Sequence, residues 1–149
     1  MKVIYQGEGT INPTCSKSHI TYSFFIDKEY DLLKVAFEYN PKQLKDEELS
    51  KDLILNCIDK YGYEKFDNWK SMLPLLNHIT LSIDDPDTCR GATHRHFSQI
   101  ELTLSQTKSS LGMISKKNPR GLWKVSLDIH SLVTENCQYQ LKVWGEQNE

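Results

Sequence analysis

The stretch LWKVSLDIHSLVTENCQYQLKVW, residues 122–144, decides the fold class of this chain. Apolar side chains occupy every second position in each half of it, at Trp123, Val125, Leu127 and Ile129, then at Cys137, Tyr139, Leu141 and Val143. Successive side chains of a β-strand point to opposite faces of a sheet, so a period of two is typical of a strand with one buried face. The stretch therefore predicts two consecutive strands, each with one side in the core.

The same alternation recurs along much of the chain. It covers residues 19–27, 33–39, 77–83 and 97–104, and residues 2–6 form a further short strand candidate. Short strands separated by turn residues are typical of β-sandwiches and jelly rolls. The sequence therefore predicts about seven strands, the number common in such sandwiches.

The sequences of two connections predict a hairpin in one case and a loop in the other. Residues 27–31, DKEYD, have the length of a hairpin loop, which predicts that the flanking strands pair with each other. Residues 7–18 contain Gly7, Gly9 and Pro13, and this predicts a loop, because glycine and proline interrupt regular structure.

Residues 46–61 change to a helical period. The apolar residues that fall on one face of this predicted helix are Leu49, Leu53, Ile54, Cys57, Ile58 and Tyr61. Gly62 follows and predicts the end of the helix. Cys57 belongs to the apolar face and is predicted to be a small core residue.

Length and composition indicate one globular domain. The chain has 149 residues, of which 38% are hydrophobic and 26% charged, values that are ordinary for a single domain. We predict one domain over residues 1–149, mainly β, built as a jelly-roll-like antiparallel β-sandwich with one α-helix at about residues 46–61.

Charge and hydropathy exclude several classes of partner. A formal net charge of −2 gives no basic surface for nucleic acid. The sequence has no run of about 18 apolar residues and no apolar core of a signal peptide, so we expect no membrane contact and no export. The four cysteines form no C-x-x-C pair, and without export we predict free thiols in the cytoplasm.

Residues 84–96, DDPDTCRGATHRH, form the densest polar stretch. His94 and His96 would point to the same side of a strand, and a nearby aspartate could complete a zinc site. Arg90 and Arg95 oppose this interpretation, because their positive charges repel a cation. We predict no metal and no other cofactor.

The same stretch also fits a structural corner. Asp85, before Pro86, predicts a turn in which the aspartate caps backbone amides. Arg90 is predicted to act as a strut, that is, a side chain that holds the loop together because its five N–H donors can bond to several loop carbonyls and one carboxylate. A polar loop of this length is also a candidate for ligand binding, and the candidate ligand-binding residues are Asp85, Arg90, His94, Arg95 and His96.

No motif of a known catalytic site is present. The nucleophile elbow, the P-loop, the dinucleotide fingerprint and the H-E-x-x-H zinc motif are all missing from the sequence. Cys89 near His94 is a weak candidate for a cysteine–histidine pair, since no oxyanion hole can be placed. We predict no catalytic residues.

Two further clusters leave alternatives open. Tyr61, Tyr63, Phe66 and Trp69 are either a platform for a sugar or peptide, or rings that seal one end of the sandwich. Lys108, Lys116, Lys117 and Arg120 are either a contact for phosphates or acidic partners, or a solvated loop.

Two stretches resemble a known domain, and together they fall within residues 77–145, about half of the chain. LSIDDPDTCRGATHRHFSQIELTL and PRGLWKVSLDIHSLVTENCQYQLKVW are similar to the N-terminal β-sandwich that precedes the PHP-type metal-dependent phosphoesterase domain of CehA/McbA-like proteins. The second stretch, which ends in a Tyr-x-Leu-x-Val strand, also resembles jelly-roll modules of the pre-peptidase C-terminal type. The resemblance implies an accessory module in which Asp85, Pro86, Arg90 and Gly91 shape a corner of the sandwich. The family's PHP-domain metal motifs are missing here, so its catalytic residues are not carried over.

Two functions follow as hypotheses. The first is a non-catalytic β-sandwich module that binds a protein partner or a carbohydrate, with homo-oligomerisation left open. The alternative is a small metal-dependent hydrolase that uses the loop at residues 84–96. The strand pattern and the missing catalytic motifs favour the first.

Overall fold

A computed structural model of the chain describes residues 1–60, 69–93 and 97–148, with the backbone alone at residues 59 and 60. Over these residues the chain is mainly β, with antiparallel sheets packed against each other and a single α-helix. The predicted fold class, an antiparallel β-sandwich with one helix, is confirmed.

All seven predicted strands are present, and the described residues contain three further short strands that the alternation did not predict. In chain order they are β1 (Lys2–Ile11), β2 (Ser18–Ile26), β3 (Leu32–Asn40), β4 (Gln43–Leu44), α1 (Glu47–Lys60), β5 (Leu75–Leu76), β6 (His78–Asp84), β7 (Cys89–Ala92), β8 (Gln99–Ser105), β9 (Gly121–Ser131) and β10 (Cys137–Glu146). Short 3₁₀ helices lie at Pro13–Cys15 and Trp69–Met72.

The strands form two principal sheets over the described residues. The first has the order β1-β10-β3-β8 and the second the order β2-β9-β6-β7, while β4 and β5 form a small separate pair. All neighbouring strands are antiparallel. The chain passes repeatedly from one sheet to the other, so each outer face combines side chains that are far apart in the sequence.

The inner faces of the two sheets meet in one apolar core. The buried positions that the alternation predicts are Leu33, Val35, Phe37, Ile79, Leu81, Ile83, Leu102, Leu104, Trp123, Val125, Leu127, Ile129, Tyr139, Leu141 and Val143. Each large side chain buried in this way contributes about 1.5–3 kcal/mol relative to exposure. Trp123 is 1% exposed, as its place in the strand pattern predicts.

The predicted hairpin between β2 and β3 is wrong. β2 pairs with β9, whereas β3 pairs with β10 and β8, so residues 27–31 cross from one sheet to the other. Tyr30 in this crossing is buried, and the Asn118 side chain donates a hydrogen bond to its carbonyl oxygen at 3.1 Å. Alternation determines which face a strand buries, but it does not determine the partner of the strand.

The loop predicted at residues 7–18 is too long, because β1 continues to Ile11. A Cβ at Gly7 would lie 2.8 Å from the Tyr22 ring, and one at Gly9 would lie 2.6 Å from the Tyr139 hydroxyl. The two glycines therefore make room for tyrosine rings inside a strand and do not end it.

The polar stretch at residues 84–96 contains less loop than predicted. β7 pairs with β6, and Thr93 extends the pairing by donating its N–H to the Leu81 carbonyl at 2.8 Å. Residues 85–88 alone form the turn between the two strands. The short strand escaped prediction because Cys89–Ala92 has no apolar alternation.

The predicted helix is confirmed as α1, and the Asp46 carboxylate caps it by accepting the Leu49 N–H at 3.1 Å. Its packing differs from the prediction. Ile54 is buried, but Leu53 is 37% exposed and Cys57 is exposed, so the prediction that Cys57 is a core residue is wrong. The apolar stripe is wider than the surface that the helix buries.

Candidate functional site

The Asp85 side chain organises the turn between β6 and β7. Its Oδ1 accepts the backbone N–H groups of Asp87 at 2.7 Å and Thr88 at 2.8 Å, which confirms the predicted cap. Its Oδ2 lies 2.9 Å from the Lys116 ammonium. Burial favours a higher pKa for this carboxyl, but the nearby Lys116 ammonium and the hydrogen bonds from the turn amides outweigh it, so the pKa of Asp85 is lowered.

Arg90 ties this turn to the loop between β8 and β9. Its guanidinium donates to the carbonyl oxygens of Ile114, Lys116 and Lys117 and to the Asn118 side chain, at 3.0–3.2 Å. It also lies 3.6 Å from the Asp85 carboxylate, and both side chains are fully buried. The predicted strut is confirmed, and these contacts support the structural interpretation of the Asp85 and Arg90 positions.

The remaining candidate ligand-binding residues, His94, Arg95 and His96, lie outside the described residues. Their ligand-binding and metal-binding roles therefore stay predictions. Within residues 1–60, 69–93 and 97–148, no group of three or more histidine, cysteine, aspartate or glutamate side chains could hold a metal ion. Cys89 is exposed at the start of β7.

Of the two other predicted clusters, the aromatic one lies mostly outside the described residues, whereas the basic loop lies within them. Tyr61, Tyr63 and Phe66 lie outside the described residues, whereas the Trp69 ring lies 5.4 Å from the Lys51 ammonium. In the basic loop, the Lys116 ammonium pairs with the buried Asp85. The Lys117 ammonium lies 3.9 Å from the Glu29 carboxylate. Two of the four basic side chains therefore pair within the protein, and the choice between an anion contact and a solvated loop stays a prediction.

A different surface has the geometry of a binding site. It is the outer face of the β1-β10-β3-β8 sheet, which we call the polar face. The register aligns Glu8, Gln140, Glu38 and Gln99 in one row across the strands, and Gln6, Lys142, Ala36 and Glu101 in the next. These residues alternate with buried core residues, so their side chains point outward.

Two hollows lie between these rows, one on each side of β10. Gln6, Gly7, Glu8, Gln140, Leu141 and Lys142 line the first. Ala36, Phe37, Glu38, Gln99, Ile100, Glu101, Gln140, Lys142 and Trp144 line the second. Each has a volume of about 340 Å³. We call the two hollows together the polar groove, since both are bounded by Gln140 and Lys142.

The floor and one wall of the polar groove come from two particular residues. Ala36 stands between the longer side chains of Lys142 and Glu101 in its row, and its single methyl group leaves the second hollow open. The half-buried Trp144 ring lines the same hollow, with the Lys142 ammonium 5.0 Å from its centre. The groove therefore offers one aromatic surface within a polar rim.

The polar groups of the groove are largely unpaired. Within the described part of the chain, the Glu8, Glu38 and Gln140 side chains have neither a hydrogen-bond partner nor an ion-pair partner, while Lys34 lies 3.5 Å from Glu101. Exposed side chains of this kind bond to water, and a ligand with matching hydroxyl or amide groups can replace that water.

The outer face of the other sheet provides a contrast, because its polar side chains bond to one another. His19 Nδ1 lies 2.6 Å from the Asp128 carboxylate, and the Thr21 and Ser126 hydroxyls are 3.0 Å apart. These cross-strand pairs satisfy each other, so this face presents fewer free donors and acceptors than the polar face.

Sequence reasoning missed the polar groove for a physical reason. Gln138, Gln140, Lys142 and Trp144 are visible as the polar-side positions of residues 137–144, but any solvated face has the same pattern. The site depends on β10 lying between β1 and β3, and that pairing carries no local signal. Trp144 was an available clue, because its position on the polar side of the strand predicts an aromatic ring on the outer face.

Comparisons with known proteins add no functional information. No family model matches the chain, and no curated protein matches it. Among solved structures, the chain is similar to a crystal structure of a protein from Sulfurospirillum deleyianum, with 8% sequence identity, a TM-score of 0.33, and coverage of 97% of this chain and 99% of that one. Among the described residues, no helix is both long enough and apolar enough to cross a bilayer.

Proposed function

We propose that this chain is a non-catalytic binding module that holds a carbohydrate in the polar groove. The observation that carries the proposal is the combination of unpaired amide and carboxylate side chains with the Trp144 ring around the hollow over Ala36. Ligand sites commonly join a few polar groups to an aromatic surface in this way.

The chemistry of the groove matches that of a sugar. Each sugar hydroxyl both donates and accepts hydrogen bonds, and the Gln140 amide can do the same, while the Glu38 carboxylate accepts. The carbon-bound hydrogens on one face of a sugar ring suit contact with an aromatic ring such as Trp144. A rigid indole side chain also loses little conformational entropy when a ligand binds.

The composition of the groove favours a carbohydrate over a protein partner. Cores of protein interfaces are enriched in aromatic residues and methionine and depleted in lysine and glutamate. The polar groove instead carries glutamines, glutamates and a lysine around one tryptophan. Its three carboxylates, at Glu8, Glu38 and Glu101, outnumber the single lysine, Lys142, and this disfavours an anionic ligand.

We further infer that the sandwich is a jelly roll and serves as an accessory module, as the resemblance to the CehA/McbA-like N-terminal domain implies. The strand order supports the jelly roll, since the first and last strands lie side by side and, apart from the neighbours β6 and β7, successive strands of the two principal sheets alternate between them. We place the module in the cytoplasm because its four cysteines are free.

The alternative, a metal-dependent hydrolase that uses residues 84–96, rests on His94 and His96. It predicts that zinc raises the melting temperature of the wild type and not of the His94→Ala/His96→Ala variant, because a ligand that binds only the folded state stabilises it. Equal melting temperatures with zinc and with chelator in both proteins would remove the alternative.

A glycan-binding screen tests the main proposal. Cello-, xylo- and chito-oligosaccharides would be titrated calorimetrically into the wild type, Trp144→Ala and Phe25→Ala. Phe25 is the matched control because it is an exposed aromatic residue on the outer face of the other sheet, 57% exposed. We expect binding by the wild type and Phe25→Ala and a loss of at least about tenfold in Trp144→Ala. Absence of binding by all three oligosaccharide series would contradict the proposal.

A further inference from the structure

The polar groove runs across the strands and not along them. Its two hollows lie on opposite sides of β10, and both are lined by Gln140 and Lys142. These side chains project from positions two residues apart on one strand, and the Lys142 ammonium lies 5.0 Å from the centre of the Trp144 ring, which stands on the side away from Gln140. The first hollow reaches β1 and the second reaches β8, so the groove spans the whole sheet.

The span of the groove exceeds a single sugar ring. Four antiparallel strands have three spacings of about 4.8 Å, which places the outermost strands about 14 Å apart. A lone monosaccharide would fill one hollow and leave the other to water. A ligand that contacts Gln6 at one end and Gln99 at the other must therefore be an oligomer.

Among the described residues, exposed side chains stand at both ends of the groove. At the β1 end the outward residues are Gln6 and Glu8, and at the β8 end they are Gln99 and Glu101, and all four are exposed. These end residues belong to the same rows as the residues in the middle of the groove, so neither row turns upward into a wall. A ligand lying in the groove can continue past the β1 edge, and at the β8 edge it reaches the hollow that Phe97 and Leu111 line beside Gln99 and Glu101.

We infer that the polar groove binds the interior of an unbranched glycan chain, and that it recognises neither a single sugar nor a chain end. This inference rests on the proposed carbohydrate-binding function and adds the ligand's length and topology. A longer glycan makes more contacts as it extends from β1 to β8, so the affinity rises with the number of sugar units until the groove is filled. Branches on the backbone clash with the two rows of side chains that border the groove.

The test is a length series of the oligosaccharide type that binds in the screen above, from one to six sugar units, titrated calorimetrically into the wild-type chain. We expect affinity to rise about tenfold from the disaccharide to the tetrasaccharide and then to level off. A branched oligosaccharide with the same backbone is expected to bind about tenfold more weakly than its unbranched counterpart. Equal affinity for the monosaccharide and the hexasaccharide would overturn the inference while leaving the proposed function intact.

Variants at the two ends of the groove complete the test. Gln6→Ala and Gln99→Ala remove side chains from opposite edges of the sheet, and both positions are exposed, so the fold should tolerate them. Each variant alone is expected to weaken hexasaccharide binding several-fold. Sensitivity to one end only would overturn the inference, because it would place the ligand in a single hollow. Binding of no sugar at any length would instead overturn the proposed function.

Discussion

The Arg90 guanidinium lies 5.5 Å from the centre of the Trp123 ring, inside the sandwich. Arg90 belongs to the short edge strand β7 and Trp123 to the central strand β9 of the same sheet. The Trp123 indole N–H in turn donates to the Pro119 carbonyl at 2.9 Å. The two side chains together anchor the loop that precedes β9.

The first prediction concerns Arg90. Replacing it with methionine keeps most of its volume but leaves several buried loop carbonyls without a donor, so Arg90→Met should destabilise the fold by about 3–5 kcal/mol. Urea denaturation measures this cost. Arg120→Met is the control, because Arg120 is exposed, and it should change stability by less than about 0.5 kcal/mol. Equal costs for the two variants would mean that Arg90 is not a strut.

The second prediction concerns Asp85 and pH. The folded protein lowers the pKa of this carboxyl, so its ionisation stabilises the fold above its unfolded pKa of about 3.9. That contribution is lost as the pH falls through the lower, folded pKa. Urea denaturation from pH 7 to pH 3 should therefore show the advantage of the wild type over Asp85→Asn shrinking below about pH 4.

The control for this pH series is Asp87→Asn, which changes an exposed carboxyl in the same turn. It should track the wild type at every pH. A constant difference between the wild type and Asp85→Asn down to pH 3 would show that the ionised carboxylate stabilises the fold no more than the protonated one, and would contradict the lowered pKa.

The third prediction concerns the strand glycines. A methyl group at Gly9 would meet the Tyr139 hydroxyl, which itself lies 2.6 Å from the Tyr22 hydroxyl. Gly9→Ala should lower the free energy of unfolding, measured by thermal unfolding, by about 1–3 kcal/mol, as overpacking of a filled site does. Thr10→Ala, at the next and outward position, should cost much less in the same thermal unfolding experiment. A stabilising Gly9→Ala would show that the ring does not occupy this space.

The fourth prediction concerns thiol reactivity. Burial raises the pKa of the Cys137 thiol to about 11, whereas Cys57 and Cys89 are exposed. Since the thiolate is the reactive form, iodoacetamide at pH 8 should modify Cys57 and Cys89 in the folded protein and leave Cys137 unmodified. Peptide mass spectrometry reads out each site. Labelling of Cys137 at the rate of Cys89 would place it outside the core.

Much of the fold could be predicted from local pattern. The alternation around Trp123 and Leu141 assigns both strands and their buried faces correctly, because burial of alternate side chains is a local property of the sequence. The corner built by Asp85 and Arg90 was also predictable, since the donor and acceptor inventory of those residues allows few arrangements. Strand pairing was not predictable, as Tyr30 shows by crossing between sheets where a hairpin was expected.

The polar groove could not be predicted because its residues come from four strands. Gln6, Ala36, Glu101 and Lys142 share one row only through the register of β1, β10, β3 and β8. Each of these residue types is common on the solvent-facing side of a strand, so none of them marks a binding site within its own segment. The small size of Ala36 gains meaning only once longer side chains are known to stand on either side of it.

The most direct measurement is oligosaccharide affinity in Ala36→Leu, which fills the floor of the polar groove from an outward position. Ser82→Leu is the matched control, because Ser82 is a small, half-buried, outward residue on an inner strand of the other sheet. Calorimetric titration should show at least about a tenfold loss of affinity in Ala36→Leu and none in Ser82→Leu, with both variants melting near the wild-type temperature. Wild-type affinity in a folded Ala36→Leu would contradict binding in the groove.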